Sequence, residues 1–176
     1  METILPERKP NRLVNFDYST EGAYFITVCT HHRRKILSHI RVGAIHESPA
    51  MRLTKIGDIV EKAILRLPSR FGIDVAKYVI MPNHIHLILV IDDLERAIRE
   101  SPLRKRSIIS KAIGYMKMNA SKEAHEIFPD LVLWQRSFHD HVIRDGKDYN
   151  EIADYIENNV LNWEADCFYG EGEERD

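Results

Sequence analysis

The pattern of apolar and polar positions divides the chain into four strand-like stretches and three helix-like ones. AYFITVCT (23–30) is aromatic and β-branched, which is strand composition. IDVAKYVI (73–80) and HIHLILVI (84–91) read the same way. Met81, Pro82 and Asn83 between them supply a turn, so the two are predicted to pair as a hairpin. FHDHVIR (138–144) is a fourth strand. A different period governs Ile56, Ile59, Val60, Ala63, Ile64 and Leu67, which recur at helical spacing from Thr54, a capping residue, to Pro68, a stop. A longer helix is predicted to open at Ser101-Pro102 and run to about His125. Asp148-Tyr149-Asn150-Glu151 resembles a capping box for a short helix ending near Asn158. The segment 31–52 shows neither period and is expected to be irregular.

The order β, α, β, β, α, β with a terminal helix is that of an α+β, ferredoxin-like βαββαβ fold. It implies an antiparallel sheet with helices on one face, plus the C-terminal helix. We expect one domain over 21–163, preceded by an extended polar arm (1–20) and followed by an acidic tail (164–176).

Composition narrows the class. With 44% hydrophobic and 30% charged residues in 176, the chain reads as an ordinary globular domain. No apolar run is long enough to span a membrane, and the N-terminus lacks an apolar signal core, so a cytoplasmic location is expected. Cys29 and Cys167 are far apart and are read as free thiols. A net charge of −2 looks wrong for a nucleic-acid binder, but the tail from Glu164 holds six acids and one arginine. The rest of the chain is therefore net positive, with clusters at His31–Lys35 and Arg104–Arg106. The tail is expected to keep away from any anionic substrate.

Two histidines are the chemical anomaly. Side chains alternate along a strand, so His84 and His86 share a face with Ile88 and Val90, while Ile85, Leu87 and Leu89 line the other. Burying a polar ring without a partner costs roughly 1–3 kcal/mol. Each imidazole therefore needs a ligand, a hydrogen bond or solvent. On the long helix, Ile109, Ile113, Met116, Ala120 and Ile127 form a stripe that should meet the sheet. Asn119 falls within that stripe, and Tyr115 stands one turn earlier. One arrangement explains both oddities: His84, His86 and Asn119 around one cation, with Tyr115 beside it. The alternative is a core tyrosine with a bonded hydroxyl and an asparagine at a solvent gap. His139 and His141 form a second alternating pair, readable as a DNA contact, a structural pair or an alternative metal pair.

M-P-N-H-I-H-L (81–87), a tyrosine on a helix about thirty residues later, W-Q-R-S-F-H-D-H-V-I-R (134–144) and Y-I-E-N-N (155–159) together resemble the HUH single-tyrosine transposases. The similarity is greatest to the REP-associated tyrosine transposases, including AYFITVCTHHRRKI near the start, and covers about 20–163. The resemblance implies that His84 and His86 bind a divalent metal, that Tyr115 is the nucleophile and that Asn119 completes the metal site. It implies Mg2+ or Mn2+ as cofactor. It also implies cleavage and rejoining of single-stranded DNA beside hairpin-forming palindromic repeats through a 5′-phosphotyrosine, by a monomer or a homodimer. Candidate DNA contacts are Arg33, Arg34, Lys35, Arg104, Lys105, Arg106, Trp134, Arg136 and Arg144. Two other readings stand beside it: a nucleic-acid-binding regulator on the same fold that does not cut, and a metal hydrolase using activated water.

Overall fold

A computed structural model of the chain describes residues 20–41, 50–92 and 107–170. The polar arm, the helix opening at Ser101-Pro102 and the cluster Arg104, Lys105, Arg106 lie outside the described residues.

Four strands build the main sheet: β1 (Gly22–Cys29), β4 (Asp74–Ile80), β5 (His84–Ile91) and β6 (His139–Ile143), in spatial order β4-β5-β1-β6. Each neighbouring pair is antiparallel. This is the ferredoxin-like order, with β5 and β1 central and therefore apolar on both faces. The β4–β5 hairpin forms as its turn residues predict.

Alternation gives each face its own core. Tyr24, Ile26 and Val28 of β1 and Ile85, Leu87 and Leu89 of β5 pack on α1 (Lys55–Leu65), α2 (Leu67–Phe71) and α3 (Ile108–Ile127). The opposite face carries Phe25, Val79 and Ile88, which pack on α4 (Gly146–Asn158) through Ala153 and Ile156, and on Trp163. The terminal helix thus lies across the sheet from the other three.

Several boundaries move, each for a local reason. Pro68 does not simply end a helix: α1 stops at Leu65, and Pro68 sits in the first turn of α2, where a missing N–H costs nothing. Gly72 closes α2 with φ 61°, a left-handed conformation that glycine adopts without penalty. α3 begins at Ile108 because Ser107 has extended backbone and its hydroxyl accepts from the Ser110 N–H. Ile127, expected in the α3 stripe, is exposed, and Ala112 and Ala124 fill it instead. α4 starts at Gly146, capped by Asp145, whose carboxylate accepts from the N–H groups of Lys147 and Asp148. Asp148 is therefore not the cap. Its carboxylate instead accepts from the Arg144 N–H and pairs with His141.

The expectation of irregular chain over 31–52 is corrected at both ends. A 3-10 turn at His31–Arg33 leads into β2 (Ser38–Arg41), which pairs antiparallel with β3 (Ala50–Leu53) as a separate two-stranded ribbon. Strands of four residues with charged exposed positions give almost no periodic signal. The ribbon is tied to α1: the Thr54 hydroxyl donates to the carbonyls of Ile36 and Leu37 and accepts from the Gly57 N–H. Gly57 passes so close to this junction that a Cβ there would lie 2.1 Å from the Leu37 carbonyl oxygen.

Candidate metal and nucleophile site

His84 and His86 are fully buried, with ring centroids 4.5 Å apart on the α4 face of β5. The expected convergence with Asn119 and Tyr115 does not occur. Tyr115 packs with the core on the other face, its ring edge-on to Phe71 at 5.5 Å. Asn119 donates its amide N–H to the Tyr115 carbonyl within its own helix. The reason is the pleat: α3 covers Ile85, Leu87 and Leu89, so nothing on α3 shares a face with the histidines.

A second tyrosine–asparagine pair, with the same four-residue spacing, takes the place beside the rings. Tyr155 on α4 sets its hydroxyl 3.3 Å from His86 Nε2 and donates to Asp166 Oδ2 at 3.2 Å. One turn on, Asn159 is buried and donates its amide N–H to the same carboxylate oxygen at 3.3 Å. The ligand atoms of His84, His86 and Asp166 all lie within 4.8 Å of one another. Y-I-E-N-N carried this signal in the sequence. Spacing alone could not choose between 115/119 and 155/159; strand-face parity could.

The hydrogen bonds fix the tautomer of His84. Asn83 donates its amide N–H to the Phe168 carbonyl, which turns Oδ1 toward His84 Nδ1 at 2.8 Å. An amide oxygen only accepts, so Nδ1 carries the proton and Nε2 presents a lone pair. That Nε2 is buried and has no hydrogen-bond partner. His86 Nδ1 lies 2.8 Å from the Thr27 hydroxyl, across the β1–β5 register that pairs Thr27 with His86. Burial, then the nearby Arg33 cation, lowers the His84 pKa to about 3. Burial, then His84, lowers that of His86 to about 3, with Asp166 opposing. Both rings are neutral at pH 7, the form that ligates metal. The Tyr155 hydroxyl is pushed up to about 12, chiefly by burial and then by Asp166.

These donors fit a divalent ion. His84 Nε2 and Asn159 Oδ1 are buried without hydrogen-bond partners, lone pairs that a cation would satisfy. Two imidazoles with carboxylate and amide oxygens suit Mn2+, and tolerate Mg2+ or Zn2+.

The start of the acidic tail does not stay away from this centre. After a 3-10 turn at Trp163–Ala165, Phe168 packs against His84 with its ring tilted and the centroids 4.5 Å apart. Arg33 lies 4.5 Å over the Phe168 ring, and Lys35 4.8 Å over Tyr169. These cations, expected as DNA contacts, sit at the rim of the site. Arg34 instead donates to the Val132 carbonyl, although it is also in the 31–35 turn. Trp134 is buried and bridges to Thr30, so it is no exposed stacking platform. Arg136 and Arg144 are exposed. Lys117 holds the segment between Trp134 and β6 by donating to the carbonyls of Gln135, Arg136 and Ser137. His139 and His141 pair with Thr27 and Phe25, which puts both on the same face of the sheet as His86.

Fold and sequence together define a class: the chain belongs to the IS200-like transposases, whose family profile matches residues 19–159. Its relatives are more particular. An uncharacterised Haemophilus influenzae protein is 32% identical over 173 residues, covering 92% of this chain and 93% of its own. A second Haemophilus influenzae protein, named "Putative REP-associated tyrosine transposase", is 25% identical over 142 residues, or 80% of this chain and 70% of that one. Among solved structures, a REP-associated tyrosine transposase bound to a REP hairpin matches with a TM-score of 0.59 at 19% identity, covering 89% of this chain and 74% of that one. That likeness concerns the fold. Among the described residues, no helix is long and apolar enough to cross a membrane.

Proposed function

We propose that this transposase-family chain is a metal-dependent, single-strand DNA endonuclease and strand transferase with Tyr155, rather than Tyr115, as its nucleophile. The observation that carries the reading is the phenol oxygen 3.3 Å from His86 Nε2, beside the clustered side chains of His84, His86 and Asp166. His84 Nε2 and His86 Nε2 would hold the ion, with oxygen from Asp166 or Asn159. A divalent cation supplies positive charge that polarises a scissile phosphate.

The chain's own residues do the rest. Tyr155 is 42% exposed, so the residue stands at the boundary between the centre and solvent. Asp166 Oδ2 accepts its hydrogen bond and gives the phenol proton a direction in which to leave. The phenol oxygen forms a bond to phosphorus, the bond to the 3′ oxygen breaks, and that oxygen leaves as a 3′-hydroxyl after taking a proton. A 5′-phosphotyrosine results, whose energy a second 3′-hydroxyl can use to rejoin a strand. The DNA substrate, hairpin-forming repeats, is proposed by analogy with the relative named for REP association.

The test is a denaturing gel of protein incubated with single-stranded DNA flanking a hairpin and Mn2+. The parent and Tyr115→Phe should form a covalent protein–DNA adduct, and Tyr155→Phe none. An adduct that survives Tyr155→Phe and vanishes with Tyr115→Phe overturns the assignment. Binding without any adduct favours a non-cutting regulator.

A further inference from the structure

The chain has two cysteines, distant in sequence, and the fold brings both to one imidazole. In β1, Phe25 stacks on His86 with centroids 5.1 Å apart, and the Thr27 hydroxyl lies 2.8 Å from His86 Nδ1. Side chains alternate along a strand, so Cys29 is the next β1 residue on that face. Register sets it directly opposite His84. Residues opposed in this way hold their Cβ atoms about 4.5–5.5 Å apart. Cys167 reaches the same ring from the other side. One chain neighbour, Phe168, packs against His84 at 4.5 Å. The other, Asp166, has a carboxylate oxygen within 4.8 Å of a nitrogen of each imidazole. Arg33, which lies over Phe168, acts electrostatically on both thiols. The two thiols also sense each other: burial chiefly raises Cys29, Arg33 opposes, and Cys167 adds to the rise.

The two sulfurs differ in access, Cys29 being buried and Cys167 exposed. Cys167 sits in a turn closed by the Tyr169 N–H, which donates to the Asp166 carbonyl at 3.0 Å. Side chains hold this turn down: Asn83 donates to the Phe168 carbonyl, and Tyr155 and Asn159 donate to Asp166. A turn held in this way can adjust to the Cβ separation of about 3.8 Å that a disulfide needs, and no strand or helix has to move. An exposed thiol beside a buried one is the arrangement of an oxidant-reactive cysteine and its resolving partner. Burial and then Asp166 raise the Cys167 thiol, so oxidation is slow until an oxidant is added.

We propose that Cys29 and Cys167 are a redox pair: a peroxide oxidises Cys167, and Cys29 resolves it to a disulfide that ties the Asp166–Tyr169 turn to β1 over the histidines. In the first step the Cys167 sulfur attacks hydrogen peroxide, the O–O bond breaks, and a sulfenic acid and one water form. In the second the Cys29 sulfur attacks the Cys167 sulfur, the S–OH bond breaks, and hydroxide leaves as water with the Cys29 proton. The two thiols together lose two electrons, and one peroxide becomes two waters. A small-molecule dithiol reverses the bond by exchange. Neither DNA nor metal is required, so the pair stands apart from the DNA-processing reading.

The experiment treats the full chain, freed of reductant, with hydrogen peroxide. The protein is then denatured in maleimide, and its intact mass and tryptic peptides are measured. The parent should lose two hydrogens, take up no maleimide and yield a peptide linking Cys29 to Cys167. Cys29→Ser should stop at a Cys167 sulfenic acid that dimedone traps. Cys167→Ser, a change at an exposed position, should keep Cys29 as a thiol. Chymotrypsin, which cuts after aromatic residues, should cleave at Phe168 and Tyr169 about tenfold more slowly in the oxidised parent than in the reduced one, because the turn opens less often. Dithiothreitol should restore the rate, and Cys29→Ser, which takes the same methionine oxidation, should show no slowing. A disulfide only between two copies of the chain, a Cys167 sulfinic acid with Cys29 still free, or equal cleavage in both redox states each overturn the proposal.

Discussion

At the scale of single residues, the candidate centre depends on which nitrogen of His84 carries its proton. Asn83 sets this by accepting at Nδ1, and its own orientation is set by the Phe168 carbonyl. An outer partner of this kind typically contributes 10- to 100-fold, as an order of magnitude, to metal affinity. Asn83→Ala should therefore weaken Mn2+ binding by about that factor, measured by calorimetric titration, with both histidines still in place. Unchanged affinity would mean that the tautomer is fixed some other way. The histidines were legible from the sequence because two polar rings in a central strand are costly unless they serve a purpose. The proposed nucleophile was not, because Tyr115-x-x-x-Asn119 and Tyr155-x-x-x-Asn159 are identical as spacings. Only their placement on opposite faces of the sheet separates them. Asp166 was hidden for another reason: a carboxylate in an acidic tail looks like solvated charge until the chain folds back.

At the scale of elements, the main strands and α1 follow from period and caps, and their bounds agree with the sequence pattern to within a residue or two. The ribbon and the early start of α4 do not follow from it. Ribbon strands of four residues are too short to establish a period, and the Asp145 cap lies three residues before the capping-box pattern that drew attention to Asp148. The ribbon is instead fixed by its junction with α1, where Gly57 meets the Leu37 carbonyl. A methyl group there has backbone in its way and no flexible side chain to displace. Gly57→Ala should cost about 1–3 kcal/mol in chemical denaturation, an overpacking penalty, although alanine is the better helix former. A stabilised variant would show that the ribbon can shift away without loss.

At the scale of the whole molecule, the sheet separates two interiors: one mainly apolar, under α1 to α3, and one that also holds the two imidazoles, under α4. The mixed side makes stability depend on pH. His84 and His86 have folded pKa values of about 3, below the ordinary 6.5. Between those values the unfolded chain binds more protons than the folded one, so stability is complete above pH 6.5 and declines as pH falls toward 3. At ~1.4 kcal/mol per pKa unit, each ring removes roughly 2 kcal/mol by about pH 5. Metal-free protein should thus show a clearly lower urea midpoint at pH 5 than at pH 7, and His84→Gln/His86→Gln a much smaller difference. An equal drop in both would place the acid sensitivity elsewhere.

The two halves of the candidate centre are anchored unequally. The imidazoles belong to β5, bonded on both sides within the sheet and packed above and below. The phenol and the Asn159 amide ride on α4, whose fully buried apolar side chains are only Ala153 and Ile156. Local opening of a chain begins where least is buried. Mild heat or a protease that frees α4 would therefore take the candidate centre apart while the sheet and the α1–α3 layer still register as native. For this protein, a folded spectrum certifies the scaffold and says little about whether the phenol and imidazoles still meet.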